Sequence, residues 1–190
     1  VRIALCAGHH VHAKGAVNKK HGLNEHDETK KIISFLAALL RAKGNDVQIF
    51  YGPLAHKIHC INAGNFDFVI DLHLNAGGGH GCEVVHVPHS ESRREQAALM
   101  SATISKFMGI RDRGAKEGWY KMDVPGQVDY PGDIDGDEHG DAFVEQTNCP
   151  AFIPEPLFID NDAEVEAWLV AGMHDQIAEA LMMAIEEVLA

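Results

Sequence analysis

The chain has 190 residues, 46% hydrophobic and 23% charged, and 16 basic against 28 acidic side chains leave a net charge of −12. That length makes a single domain with a core large enough to need no staples. The acidic balance argues against nucleic acid as a partner and against electrostatic adhesion to an anionic membrane or wall polymer. No charged-then-apolar leader opens the chain and no apolar run is long enough to span a bilayer, so membrane insertion is not expected. Cys6, Cys60, Cys82 and Cys149 are scattered without a C-x-x-C pair and read as free thiols of a reducing compartment. Histidine is unusually frequent, at 13 copies; it is the commonest metal-ligand side chain.

In chain order, Ile3–Ala7 reads as a short buried strand ending at Gly8-His9-His10. Residues 11–22 show no period and read as a loop. A helix follows, with Asn24 as N-cap and Glu25, Asp27 and Glu28 in the first turn, where the helix dipole favours negative charge. Ile32, Ile33, Leu36, Leu39 and Leu40 repeat at helical spacing until Gly44 supplies the stop. The segment 46–51 alternates as a half-buried strand, and 54–65 reads as a second helix with Leu54, Ile58 and Ile61 on one face.

Phe68 to Leu72 is a nearly unbroken apolar run bounded by Gly77-Gly78-Gly79, the pattern of a strand buried on both faces of a parallel or mixed sheet. His73 follows it directly, beyond the carboxyl end, where open α/β sheets place ligands. Residues 82–87 form another strand, and Ser90 caps a helix through Leu99, Ile104 and Met108. The stretch 117–148 breaks the rhythm. Its acidic residues between Gly132 and Asp141 hint at a calcium loop, but Gly136 is misplaced for an EF-hand and the closing bidentate Glu is missing. It reads as an insertion loop. Residues 150–159 are the last apolar run, and from Asp162 the chain is helical, with Val165, Trp168 and Leu169 on one face and Ile177, Leu181, Ile185 and Val188 on another. The alternation predicts an α/β fold with a largely parallel or mixed central sheet and helices on both faces.

His9, Glu25 and His73 sit at element ends, and two imidazoles with one carboxylate are the ligand set of many catalytic zinc sites. Spacing alone does not join them, since each comes from a different element, and His10 competes with His9. The surrounding words carry more: Ala7-Gly8-His9, Gly22-Leu23-Asn24-Glu25, Leu72-His73-Leu74-Asn75-Ala76 and Pro154-Glu155-Pro156-Leu157-Phe158-Ile159-Asp160-Asn161. In this order, and with the 81–87 strand and Arg113-Gly114-Ala115-Lys116, the chain resembles the zinc-dependent N-acetylmuramoyl-L-alanine amidases, peptidoglycan hydrolases of phage lysins and bacterial autolysins.

That resemblance implies one catalytic amidase domain over 1–190, with Zn2+ held by His9, Glu25 and His73 and with Glu155 as the catalytic carboxylate. The substrate it implies is peptidoglycan, cut at the amide between the lactyl group of N-acetylmuramic acid and L-alanine. Zinc brings the pKa of a water down to roughly 7, and Glu155 then takes the proton and passes it to the departing amine. Two departures stand out. Cys6-Ala7 replaces the family's usual Asp-Pro before the first Gly-His, and Pro154 and Pro156 flank Glu155. Because proline removes a ladder donor, the Glu155 segment is expected to leave the sheet or lie on an edge.

The remaining residues receive plainer readings. His12, His21 and His26 belong to a polar loop and a helix start, and His80, His86 and His89 read as solvated or rim residues. Cys6 and Cys82 read as core thiols. The alternatives to an amidase are a carboxypeptidase-like zinc hydrolase and a non-catalytic, His-rich metal-binding protein. The missing leader, unpaired cysteines and charge point to a lysin made in the cytoplasm without a signal peptide and acting on the wall after release; a secreted form trimmed upstream is the alternative.

Overall fold

The structure, a computed structural model, describes residues 1–118 and 141–190. Arg2–Ala7 forms β1, and the short antiparallel pair β2 (Val17–Asn18) and β3 (Leu23–Asn24) precedes α1 (Glu25–Ala42). There follow β4 (Asp46–Phe50), α2 (Leu54–Asn62), β5 (Phe68–Leu72), β6 (Cys82–His86), α3 (Glu91–Met108) and β7 (Asp112–Glu117). The acidic run proposed as a calcium loop or insertion lies mostly at 119–140, outside the described residues; its end, Asp141, caps α4 (Ala142–Gln146). Then come β8 (Ala151–Glu155), α5 (Asp162–Val165), a π-helical turn (Glu166–Val170) and α6 (His174–Leu189).

Among the described residues, six strands form one mixed sheet in the order β4-β1-β5-β8-β6-β7. The first four run parallel to one another, whereas β6 is antiparallel to β8 and parallel to β7. β5 is buried along its whole length, as a glycine-bounded apolar run requires. The helices divide between the two faces. Ile3, Leu5 and Ala7 of β1 join the core formed with α1, α3 and α6. Ala4 and Cys6, pointing the other way, join Ile58 and Ile61 of α2 and Phe143 and Val144 of α4.

Three sequence expectations need correction. The prolines around Glu155 do not send their segment to an edge: β8 lies inside the sheet, between β5 and β6. The strand tolerates Pro154 because its ladder register with β5 has already ended at Ile70↔Phe152, while the Pro154 carbonyl still accepts from the His73 N–H at 3.1 Å. The edge strand β7 was not foreseen, because Asp112–Glu117 is polar and alternates in no apolar pattern. His86 is buried rather than at the rim, with Nδ1 2.8 Å from the Val87 carbonyl oxygen. The caps differ as well. Asn24 accepts from the Asp27 N–H as expected, but Ser90 makes no side-chain cap bond to α3.

α1 and α6 are tied by a buried polar contact, Glu28 Oε2 to His174 Nε2 at 2.6 Å, and Lys31 Nζ donates to the other Glu28 oxygen at 2.7 Å. Burial pushes the Glu28 carboxyl up, but the bonds from His174 and Lys31 outweigh it and leave the pKa below its ordinary value. A carboxylate depressed in the folded state stabilises fully above its unfolded pKa and loses that contribution as pH falls through the folded value. Glu28→Gln is therefore expected to cost on the order of 1–3 kcal/mol near neutrality. Denaturant titrations at several pH values should show parent and variant converging as the pH drops below the unfolded glutamate value of about 4.3.

Candidate metal centre and cavity

The strand ends build the site. β1 stops at Gly8, and His9 turns through the left-handed region, φ 59°. Gly8 is packed against the end of β5: a Cβ there would stand 2.7 Å from the Leu72 carbonyl oxygen and 3.0 Å from the His73 ring. His26 of α1 places Nδ1 2.9 Å from the Gly8 carbonyl oxygen and so fixes the same turn from the helix side. Gly15, at φ +75°, passes directly over the cluster, and a Cβ on it would come within 2.6 Å of the His9 ring and the Glu25 carboxylate.

Glu25, 3% exposed, is the centre of the group. Its Oε2 lies 3.0 Å from His9 Nε2 and accepts from the Ala16 N–H at 3.0 Å. Its Oε1 lies 2.9 Å from His73 Nδ1 and accepts from the Leu74 N–H at 3.1 Å. One ligand-type atom from each of His9, Glu25 and His73 lies within 4.8 Å of the other two. His10, which competed with His9 on sequence, lines the adjoining cavity but is not one of the three grouped donors; its Nδ1 accepts from the His12 N–H at 3.4 Å. Burial raises the Glu25 carboxyl, yet hydrogen bonds and charge from His73 and His9 hold it well below the usual carboxylate range. Burial lowers His73, but the carboxylates of Asp71 and Glu25 outweigh it and raise the ring to about 10. Compensating charges of this kind surround a place where a cation would fit, since nitrogen and oxygen donors of this type suit zinc.

Two of the donors, His9 and His73, open into a cavity of about 600 Å³, whose walls also include Glu83, Glu155 and Lys116, with Gly52, Pro53 and Leu54 among the other lining residues. Glu155 is the last residue of β8 and stands opposite Glu83 across the antiparallel β6–β8 pair. Burial, then the charge and hydrogen bonding of Glu83 and the charge of Glu25, raise Glu155 to about 7 against the lowering effect of His73. Glu83 is itself gripped by Asn75 Nδ2 at 2.7 Å and by Arg113 Nε. In the sequence, Glu83 and Arg113 belong only to longer segments without a role of their own, and Asp71 and Lys57, which line the cavity with Glu83, carry no local motif. A signal for the last two existed: Asp71 is the one charge inside the apolar run Phe68–Leu72, and a charge in a buried strand requires a partner. Cys6 and Cys82 are buried, and burial pushes both thiols up, which fits inert core residues.

Fold and donor set define the class: an α/β protein with two imidazoles and a carboxylate converging at the carboxyl ends of its strands. The chain belongs to the N-acetylmuramoyl-L-alanine amidase family, whose match spans residues 3–187. It is 27% identical to the endolysin of Bacillus phage SPP1 over 199 residues; the match covers 97% of this chain and 65% of that protein. Its fold is that of the N-acetylmuramoyl-L-alanine amidase of Clostridium difficile 630, with a TM-score of 0.80 at 22% identity over 99% of this chain and 96% of the other. The amidase AmiC2 of Nostoc punctiforme superimposes equally well, with a TM-score of 0.80 at 18% identity, covering 100% of this chain and 97% of that one. Among the described residues, no helix is long and apolar enough to cross a membrane.

The Glu83–Glu155 pair makes a direct prediction. Glu83→Gln removes a like charge while the Arg113 cation stays in place, and this favours ionised Glu155. Carbon-13 NMR titration of the metal-free variant should show the Glu155 pKa falling from about 7 toward the ordinary glutamate range.

Proposed function

We propose that this chain hydrolyses the amide bond between N-acetylmuramic acid and L-alanine of peptidoglycan, using zinc held by His9, Glu25 and His73. The observation that carries the reading is that these three donors lie within reach of one another and that two of them, His9 and His73, line the same cavity as Glu155. Two neutral imidazoles and one carboxylate are the protein's share of a catalytic zinc, and they leave a position for the reacting groups. Zinc, when bound, supplies Lewis acidity toward the carbonyl and toward water.

The chain's own residues do the rest. Glu25, held by two backbone N–H groups, fixes the separation of the two imidazoles. Glu155 removes a proton from the attacking water, whose oxygen adds to the lactyl carbonyl carbon. As the carbon–nitrogen bond breaks, Glu155 returns that proton to the nitrogen of L-alanine. The products are a lactyl carboxylic acid and a stem peptide with a free amine. A carboxyl near pH 7 can perform both transfers at neutral pH, because it is neither too weak a base nor too weak an acid. Residues 1–190 would act as one catalytic domain.

The test uses a purified muramoyl-peptide substrate and measures zinc alongside amine release. The parent protein is expected to hold one zinc per chain and to lose activity to a chelator, with recovery on adding zinc. His73→Ala should lose most of the metal. Glu155→Gln should keep the zinc and the fold while hydrolysis drops by at least about a hundredfold, the lower end for a lost general base. A Gln variant that cleaves at the parent rate would remove Glu155 from the chemistry. A parent that is fully active without metal would overturn the zinc site.

A further inference from the structure

Beneath the proposed metal centre lies a buried ion pair to which the reaction assigns no role. Lys57 of α2 and Asp71 of β5 are each about 2% exposed. Lys57 Nζ bonds Asp71 Oδ2 and also donates to the Ala7 carbonyl oxygen at 3.2 Å. It thus stitches together the two strand ends that carry His9 and His73, for Cys6 and Asp71 are register partners in the β1–β5 pair. Taking both charges out of water costs several kcal/mol per ion, and a well-packed apolar pair of similar volume is often as stable or more so. Stability alone therefore gives no reason for the pair. Its position does.

The two nitrogens of the His73 ring face two different carboxylates. Nδ1 is 2.9 Å from Glu25 Oε1 and so faces the donor group. Nε2, on the far side of the ring, is 3.5 Å from Asp71 Oδ2, at the outer limit of a hydrogen bond. Among the described residues, the other Asp71 oxygen, Oδ1, is buried and accepts no hydrogen bond. This carboxylate consequently has acceptor capacity to spare, and its Oδ2, shared with Lys57, is the oxygen nearest the ring. An imidazole that ligates a metal through one nitrogen commonly donates the N–H of the other to a carboxylate, which sets the tautomer and the ring orientation.

We propose that Asp71, anchored by Lys57, is a positioning residue that accepts a hydrogen bond from Nε2 of His73 and thereby leaves Nδ1 as the metal-binding nitrogen. The inference rests on the zinc reading above and adds to it a residue pair outside the ligand set. Lys57 acts at one remove. It holds the Asp71 carboxylate in place and, through the Ala7 carbonyl, keeps the end of β1 in register with it.

Two measurements test this on the full chain: zinc affinity by competition with a chromogenic chelator, and nitrogen-15 chemical shifts of the His73 ring in the zinc-loaded protein. Zinc-loaded parent should show a proton on Nε2 of His73 and none on Nδ1. Asp71→Asn should weaken zinc binding by about ten- to a hundredfold. Because that variant leaves Lys57 buried without its counter-charge, the double variant Lys57→Met/Asp71→Leu serves as control. It removes the pair together, is expected to keep the parent's circular dichroism spectrum, and should show the same loss of zinc affinity. A merely structural pair would change thermal stability and leave zinc affinity and the His73 tautomer unmoved. If the folded double variant binds zinc as tightly as the parent, or if zinc-loaded His73 carries its proton on Nδ1, the positioning role is overturned while the metal site stands. If the parent itself binds no zinc, the metal reading fails and this role fails with it.

Discussion

A single buried carboxylate, that of Glu25, holds four separate stretches of chain in one place. His9 brings the end of β1, His73 and Leu74 bring the end of β5, Ala16 brings the loop that crosses the site, and Glu25 itself begins α1. Each contact supplies a donor to an anion that is almost wholly out of water, and losing one leaves charge without compensation. The helix start adds to this, since the positive end of the α1 dipole lies at Glu25. A shift of any one strand end would therefore be opposed by the other three contacts. That mutual restraint is what a catalytic site needs from its scaffold: donors held by rigid elements instead of by mobile loops.

The same logic extends outward as alternating charge. Glu25 lies against His73, His73 against Asp71, and Asp71 against Lys57, in a line of alternating charge at the ends of β1 and β5. Each member is tolerable only because the next one compensates it, and the line ends on the backbone oxygen of Ala7. A second line starts at Glu155 and passes through Glu83 to Arg113. The two lines meet at the cavity with opposite tendencies, for one ends in donors that invite a cation and the other in a carboxyl raised to about 7. Two roles from similar side chains are thus separated by environment alone.

Legibility in the sequence followed physical locality. The strands β1 and β5 and the helix α1 were readable because their apolar periodicity and caps act within a few residues: Asn24 does accept from the Asp27 N–H, and Phe68–Leu72 is buried throughout. β7 was invisible because Asp112–Glu117 becomes a strand by pairing with β6 and not by its own pattern. His9, Glu25 and His73 could be named as candidates from their neighbours, but their convergence comes from crossovers that bring residues 9, 25 and 73 to one end of the sheet. The error at β8 has the same origin. The rule that proline avoids sheet interiors concerns ladder donors, and whether a given donor is needed depends on where the register stops, which no local reading supplies.

The change of direction between β8 and β6 has a chemical consequence that an all-parallel sheet would lack. In an antiparallel pair, residues directly opposite one another have Cβ atoms about 4.5–5.5 Å apart, so side chains interact one to one. Placing Glu83 opposite Glu155 sets two carboxyls in that relation, an arrangement that is unfavourable if both are ionised. Arg113 binds one of them. It comes from β7, which pairs with β6 on the side away from β8, and its Nε binds Glu83, as Asn75 does from the other direction. Glu83 is held by those partners, while Glu155, buried and facing a like carboxyl, is the one raised to about 7. The strand order thus decides which carboxyl is kept near neutrality at the end of β8, beside the cavity.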